Sequence, residues 1–209
     1  SNFPGETNSG DADYFIRKYD SNGTPIWTKQ YGTTLFDYIT GISIYNSNIY
    51  VSGYTDGTFT GETAQGSGDS FIAKYDTNGS RIWLKQFGTS ANDRAQSISS
   101  SATGVYIAGY TQGTFTGQAY LGETDAFVAK YDTDGNSQWV REFGTSSQEL
   151  AFSVTSGNNA YITGLTRGTF TDQTSSGDAD VFIQKYDKDG IRQWSKQFGT
   201  SAYDRAFSI

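Results

Sequence analysis

Two sets of carboxylates recur at a fixed interval along this 209-residue sequence: Asp13, Asp69, Asp125 and Asp180, and Asp37, Asp93, Glu149 and Asp204. Hard oxygen donors of this kind suit a calcium ion or a cationic ligand. The same residues also cap turns by accepting backbone N–H groups, and recurrence in every repeat fits that role better, since an active site needs one special copy. Cysteine, histidine and methionine are all absent. Thiolate nucleophiles, Cys or His zinc sites and Ser-His-Asp triads are thereby excluded. Only carboxylate, Tyr, Lys or a bound hard metal would remain for catalysis. No residue is assigned as catalytic or as a metal ligand, and no cofactor is expected, calcium being the one ion kept open. The runs "DTDGN" and "DKDG" resemble the start of a calcium loop but lack its downstream bidentate Glu. Arg94 and Arg205, next to Asp93 and Asp204, are expected to form exposed ion pairs of little energetic weight.

The elements that would position these acids follow from the repeat. Trp27, Trp83, Trp139 and Trp194 are spaced by 56, 56 and 55 residues, and Phe15, Phe71, Phe127 and Phe182 keep the same intervals. A period of this size marks a repeat architecture. Each unit divides into four short extended pieces, for which the second copy reads "RAQSISS", "VYIAGY", "SFIAKYD" and "RIWLKQFG". Their alternation and β-branched or aromatic content predict four strands, and no helical period occurs. Asp76 and Asn78-Gly79 in "YDTNG", with the copies "YDSNG", "YDTDG" and "YDKDG", supply a turn starter and a residue free to take positive φ. That predicts a hairpin between the third and fourth strands of every unit.

A four-stranded meander repeated at about this length is the sequence form of a β-propeller blade. The expected fold is all-β, a β-propeller of four blade repeats of roughly 56 residues in which the first or last blade is incomplete. The units fall at about 1–36, 37–92, 93–148 and 149–203, and 204–209 begins a further one, so that 1–209 is a single repeat domain or a segment of one. The four Trp and the four Phe are expected to pack between blades. Phe59, Phe115 and Phe170 are expected to pin the long loop after the second strand, and Gly53, Gly109 and Gly164 to allow close approach near the crowded centre. With this strand order both sets of acids lie on one face of the molecule, as a ring that would face a ligand.

The unit "FGTSANDRAQSISSSATGVYIAGYTQGTFTG…GETDAFVAKYDTDGNSQW" resembles the bacterial SBBP-type repeat, named after the seven-bladed β-propeller. The resemblance covers essentially the whole chain. It departs from the family pattern in the paired acids before "A-x-S-I", of which only the second, at Asp37, Asp93, Glu149 and Asp204, is kept throughout. It implies a secreted or cell-surface bacterial protein. A second, slighter likeness links "YDTNGSRIW" to the strand of quinoprotein dehydrogenase propellers.

Three functions follow as expectations. The first is a non-catalytic extracellular scaffold or interaction module, the second a glycan-binding propeller with repeated weak sites, and the third a fragment of a propeller enzyme. Strand two is present in three copies and the other strands in four, which leaves an open edge that seeks pairing with further blades or other chains, self-assembly included. A net charge of -7 disfavours nucleic acid. No apolar run is long enough to span a membrane.

Overall fold

The computed structural model describes residues 3–119 and 121–209. Ser1 and Asn2, at the start of the first predicted unit, lie outside the described residues. The described chain is all-β and forms four antiparallel sheets in sequence order. The first contains β1 (Tyr14–Tyr19) and β2 (Pro25–Tyr31). The second runs β3 (Asp37–Tyr45), β4 (Asn48–Thr55), β5 (Asp69–Tyr75) and β6 (Arg81–Phe87). The third runs β7 (Asp93–Ser101), β8 (Gly104–Thr111), β9 (Asp125–Tyr131) and β10 (Ser137–Phe143). The fourth runs β11 (Glu149–Ser156), β12 (Ala160–Thr166), β13 (Asp180–Tyr186) and β14 (Arg192–Phe198). Each four-stranded sheet is a plain meander with neighbours in chain order. The arrangement is propeller-like.

Local chemistry explains the elements. The Oδ1 of Asp76 accepts the N–H groups of Asn78 and Ser80 at 2.8 and 2.9 Å, and Gly79 takes φ +81°. Asp20, Asp132 and Asp187 repeat this turn. The third strands β5 and β9 are buried on both faces, with wholly apolar centres at Phe71–Ala73 and Ala126–Ala129. Strands β3, β7 and β11 each carry a bulge, between Ile39 and Gly41, Ala95 and Ser97, and Ala151 and Ser153.

The bulge supplies the close approach expected at Gly53, Gly109 and Gly164. A Cβ there would overlap the carbonyl oxygen of Tyr38, Arg94 or Leu150 in the same sheet. These glycines accommodate the bulged partner strand rather than a crowded centre.

The segment 204–209 also departs from expectation. It forms no regular strand, having only a bridge at Tyr203 to Ala179 and a 2.8 Å bond from Asp204 N–H to the Ala179 carbonyl. It still lies beside β11, with Ile209 N–H donating to Ser153 Oγ at 3.3 Å and the Phe207 and Phe152 rings 5.3 Å apart. Without a second strand to pair with, it has a neighbour but no ladder.

The core lies between sheets. Three clusters each draw side chains from two successive sheets, the central one joining Tyr50 and Ile72 to Ala95, Ile107, Phe115 and Phe127. Phe71, Phe127 and Phe182 are fully buried, each contributing about 2–3 kcal/mol by removal from water. Phe59, Phe115 and Phe170 are buried too and pack edge-on against those rings.

A polar staple repeats at every boundary. Trp27 Nε1 donates to the Thr77 carbonyl of the next sheet's hairpin turn, Trp83 to Thr133 and Trp139 to Lys188, at 3.1 to 3.2 Å. Lys18, Lys74 and Lys130 donate to the same three oxygens. Toward the inner edge, serine hydroxyls accept N–H groups from the next sheet: Ser43 from Ser100, Ser97 from Val154, and Ser99 from Ser156. Trp83 is half-buried and stapled, whereas Trp194, at the same strand position, is 39% exposed. Trp83→Ala is therefore expected to cost about 2–3 kcal/mol, less than a fully buried Trp. Trp194→Ala in dilute protein should cost under about 1 kcal/mol. Urea denaturation of both variants checks this, and equal losses would contradict it.

Candidate functional site

The acids gather where the loop after the second strand meets the loop entering the next sheet. Parallel bridges Gly68↔Asn92 and Thr124↔Gln148 join these loops, with equivalents at Ala12↔Phe36 and Ala179↔Tyr203. Asp69 and Asp93 thereby face each other across Gly88. A Cβ on Gly88 would lie 2.6 Å from both Asp69 Oδ1 and Asp93 Oδ2, and Gly32, Gly144 and Gly199 sit in the same pinch. The glycine that ends each fourth strand is therefore required by two carboxylates and not only by a turn.

The structure turns most of these acids inward. Asp37, Asp69, Asp93, Asp125, Glu149 and Asp180 are buried at 2% exposure or less, and Asp13 and Asp204 are half-buried. Asp37, Asp93, Glu149 and Asp204 each accept the N–H and hydroxyl of the Thr four residues earlier, the N–H bond being 2.6 Å in every copy. Asp13, Asp69 and Asp180 each accept an N–H from four residues earlier, and Asp125 accepts those of Leu121 and Gly122. They converge in pairs, and no group of three or more metal-ligating side chains occurs among the described residues. Burial raises the carboxyl pKa values of Asp37, Asp93 and Glu149, and the facing acid, Asp13, Asp69 or Asp125, adds to the rise.

Arg94 and Arg205 do not pair with Asp93 and Asp204. Successive strand residues point to opposite faces, so Asp93 turns inward while Arg94 lies over the Tyr54 ring at 4.1 Å. Arg205 sits over Phe207 and Tyr203.

The residue two before the pinched glycine escaped the sequence reading. Gln86 Oε1 accepts the Phe59 N–H at 3.0 Å, and its Nε2 donates to Asp69 Oδ2 at 2.8 Å and to the Gly57 carbonyl at 2.9 Å. Gln197 makes the same three contacts with Phe170, Asp180 and Gly168. Gln30 likewise bonds Asp13 and the Phe3 N–H. The available signal was the recurrence of Gln in "KQY" and "KQF", broken once by Glu142 in "REF". Glu142 Oε2 accepts the Phe115 N–H at 2.9 Å, but Glu142 Oε1 has no hydrogen-bond partner. A carboxylate there cannot donate to Asp125 as the amide does. Burial, reinforced by the Asp125 charge, pushes the Glu142 carboxyl up to about 7.

A different feature distinguishes the copies on the outside. At the start of the first strand the exposed or half-exposed residues are Phe36 and Tyr38, then Asn92 and Arg94, then Gln148 and Leu150, then Tyr203 and Arg205. Strand pairing places Tyr54 opposite Tyr38 and Tyr110 opposite Arg94. Phe36 stacks with Tyr38 at 6.2 Å, Tyr38 meets Tyr54 at 5.0 Å, and the Arg94 guanidinium covers Tyr54. The result is a contiguous patch of aromatic rings with one cation. Phe36 and Tyr38 are each 42% exposed.

No protein-family profile matches the chain. It is similar to the regulatory protein FlaEY of Caulobacter vibrioides, 25% identical over 179 residues that make up 77% of this chain and 19% of that protein. It is also similar to an uncharacterized WD repeat-containing protein of Acanthamoeba polyphaga mimivirus, 29% identical over 171 residues, 66% of this chain and 12% of that protein. The chain thus spans less than a fifth of either relative's length. Both likenesses accord with a repeated β-structure.

The Glu142 carboxyl carries a pH dependence. Its folded value, about 7, lies above the ordinary 4.5, so the folded state holds more protons between those values. Stability contributed by this residue therefore falls as pH rises from about 4.5 to about 7 and is level above that. Glu142→Gln restores the amide donor and is expected to remove this slope. It should raise stability at pH 8 by about 1–2 kcal/mol, solvent screening part of the repulsion. Denaturant titrations of both proteins from pH 4.5 to 8 check this, and parallel curves would contradict it.

Proposed function

We propose that the chain is a non-catalytic β-propeller scaffold that docks protein partners, and that it belongs to a secreted or cell-surface bacterial protein. The sheets act as blades of a ring completed by further blade units. The observation that carries the reading is the contrast between inside and outside. Interior positions are repeated from copy to copy, whereas the exposed positions at the start of the first strands diverge and gather Phe36, Tyr38, Tyr54, Arg94 and Tyr110.

Repetition maintains the fold, and divergence at exposed aromatic and Arg positions is where recognition can be specific. Tyr and Arg are the residues that dominate protein interfaces, being large, rigid and able to bond while half-buried. The likeness to a WD repeat-containing protein supports an interaction role. Catalytic chemistry receives little support from the acids, which are turned inward and engaged with their own loops.

Among the described residues the patch is not reproduced at the equivalent Asn92 and Gln148 positions, and the Arg205, Tyr203 and Phe207 group at the fourth position differs from it in composition; this inequality supports a protein partner over the repeated equivalent sites of a glycan-binding propeller. Capture by chemical cross-linking from a secreted or surface protein fraction, read by mass spectrometry, tests the proposal. Tyr38→Ala and Arg94→Ala are each expected to weaken the captured partner at least about tenfold, the loss of one interface anchor. Partners that both variants retain, or several equivalent glycan sites on a carbohydrate panel, would overturn it.

A further inference from the structure

The third sheet holds a charge imbalance that the other sheets avoid. In the second sheet the Gln86 amide nitrogen donates to both Asp69 Oδ2 and the Gly57 carbonyl, and in the fourth Gln197 does the same with Asp180 Oδ2 and the Gly168 carbonyl, all at 2.7 to 2.9 Å. In the first sheet Gln30 Nε2 donates to Asp13 Oδ2 at 3.2 Å. The third sheet has Glu142 at this place, with Asp125 and the Gly113 carbonyl as the counterparts of the two acceptors. Both acceptors are kept, and the donor between them is replaced by a third acceptor.

The oxygens concerned are out of water. Glu142 is 9% exposed and Asp125 1% exposed. Asp13, Asp69, Asp125 and Asp180 all have a buried Oδ1 without a hydrogen-bond partner, but only at Asp125 does a second unpartnered oxygen, Glu142 Oε1, belong to the neighbouring side chain. Asp125 is also held less closely by its own loop. Its N–H bonds from Leu121 and Gly122 are 3.2 and 3.3 Å, against 2.8 to 2.9 Å at the other three Asp residues. Glu149, across Gly144 from Asp125, is by contrast fully engaged by Thr145 and Thr166. Among the described residues no Lys or Arg forms an ion pair with Asp125, Glu142 or Glu149. Arg141, the nearest cation in sequence, gives its guanidinium to the carbonyls of Val140, Asp189 and Gly190. Two buried carboxylates side by side call for a positive partner.

We infer that Glu142 and Asp125 bind a calcium ion, with the Gly113 carbonyl as the third protein ligand and water completing the shell. The donors are all oxygen, the set that calcium takes, and its adaptable coordination suits ligands not arranged as an octahedron better than magnesium does. A polar cleft lined by Gly144, Thr145, Ser146 and Ser147 brings solvent to the glycine against which Asp125 lies. One divalent ion offsets both carboxylates; in calcium-free protein that place is left to a proton. The site lies in the third sheet under the chain's own loop, and it is separate from the Tyr38 and Arg94 patch. Two carboxylates and one carbonyl make a weak site, with Kd on the order of 0.1 to 1 mM.

The test is calcium titration calorimetry on the chelator-treated chain at about pH 8, where protons compete least for the carboxylates. One ion per chain is expected, and saturating calcium should raise the denaturation midpoint of the wild type. Glu142→Gln supplies the amide that the second and fourth sheets carry. It is expected to keep the wild-type circular dichroism and to weaken calcium binding at least about tenfold, since one of two charged ligands is lost. Asp125→Asn is expected to weaken it similarly. Asp134→Asn, at an exposed turn position held by Asn78 in the second copy, removes the same charge elsewhere and is expected to bind as the wild type does. No binding by the wild type up to about 10 mM calcium would overturn the inference. So would binding retained by Glu142→Gln, an equal loss in Asp134→Asn, or a stoichiometry near four, which would mean that the carboxylate pairs common to all copies suffice.

Discussion

Every sheet in this protein depends on the seating of one sheet's outer aromatic residue and Trp on the next sheet's middle strand and hairpin turn. A four-stranded sheet of this sequence has two apolar faces and cannot bury both alone. Phe71, Phe127 and Phe182 reach full burial because a neighbouring sheet, or a loop pinned by Phe59, Phe115 or Phe170, closes over them. The Trp Nε1 and Lys Nζ donors then fix the sliding register of one sheet on the next. Both find the same carbonyl, and a shift of one residue would lose both. Packing supplies most of the energy, and these hydrogen bonds, worth about 1 kcal/mol each, supply position.

The acids belong to the same construction. They reside where one sheet hands the chain to the next, and the short Thr-to-carboxylate bonds tie each entering strand to the loop before it. Pairing two carboxylates across a glycine is electrostatically costly, and the structure offsets the cost with N–H and hydroxyl donors and with a Gln amide. The third sheet departs from this by carrying Glu142, so that a proton must stand in for the amide hydrogen. Four near-copies of one site act here as an internal control, in which exchanging one amide nitrogen for oxygen adds a further raised carboxyl at the third.

The exposed rim is organised in the opposite sense. Copies that are alike inside are unlike on the exposed rim, where Phe36, Tyr38, Asn92, Arg94, Gln148 and Leu150 occupy equivalent places. A repeat fold tolerates this because each rim side chain projects away from the ladder and from the sheet boundaries that keep the repeat constant. The Phe36, Tyr38, Tyr54 and Arg94 patch arises only because strand pairing and sheet packing bring the second and third units side by side.

The period of 55 to 56 residues, the four-strand content of each unit, the hairpin turns and the buried loop aromatics were legible in the residues alone. All of these are local or periodic properties, and alternation, β-branching and Asp-x-Asn-Gly turns act within a few residues. The orientation of Asp37 or Asp93 was not legible, because an Asp at a strand start looks the same whether it faces water or a neighbouring loop. Gln86 and its Glu142 counterpart were passed over for a related reason: a polar residue in an outer strand reads as solvent-facing until the loop of its own sheet is seen folding over it. The chain by itself determined which segments pair and how often. Tertiary structure alone decided which polar groups leave water, since burial depends on the neighbouring loop or sheet, contributed by residues 17 to 50 positions away, and not on the residue's own strand.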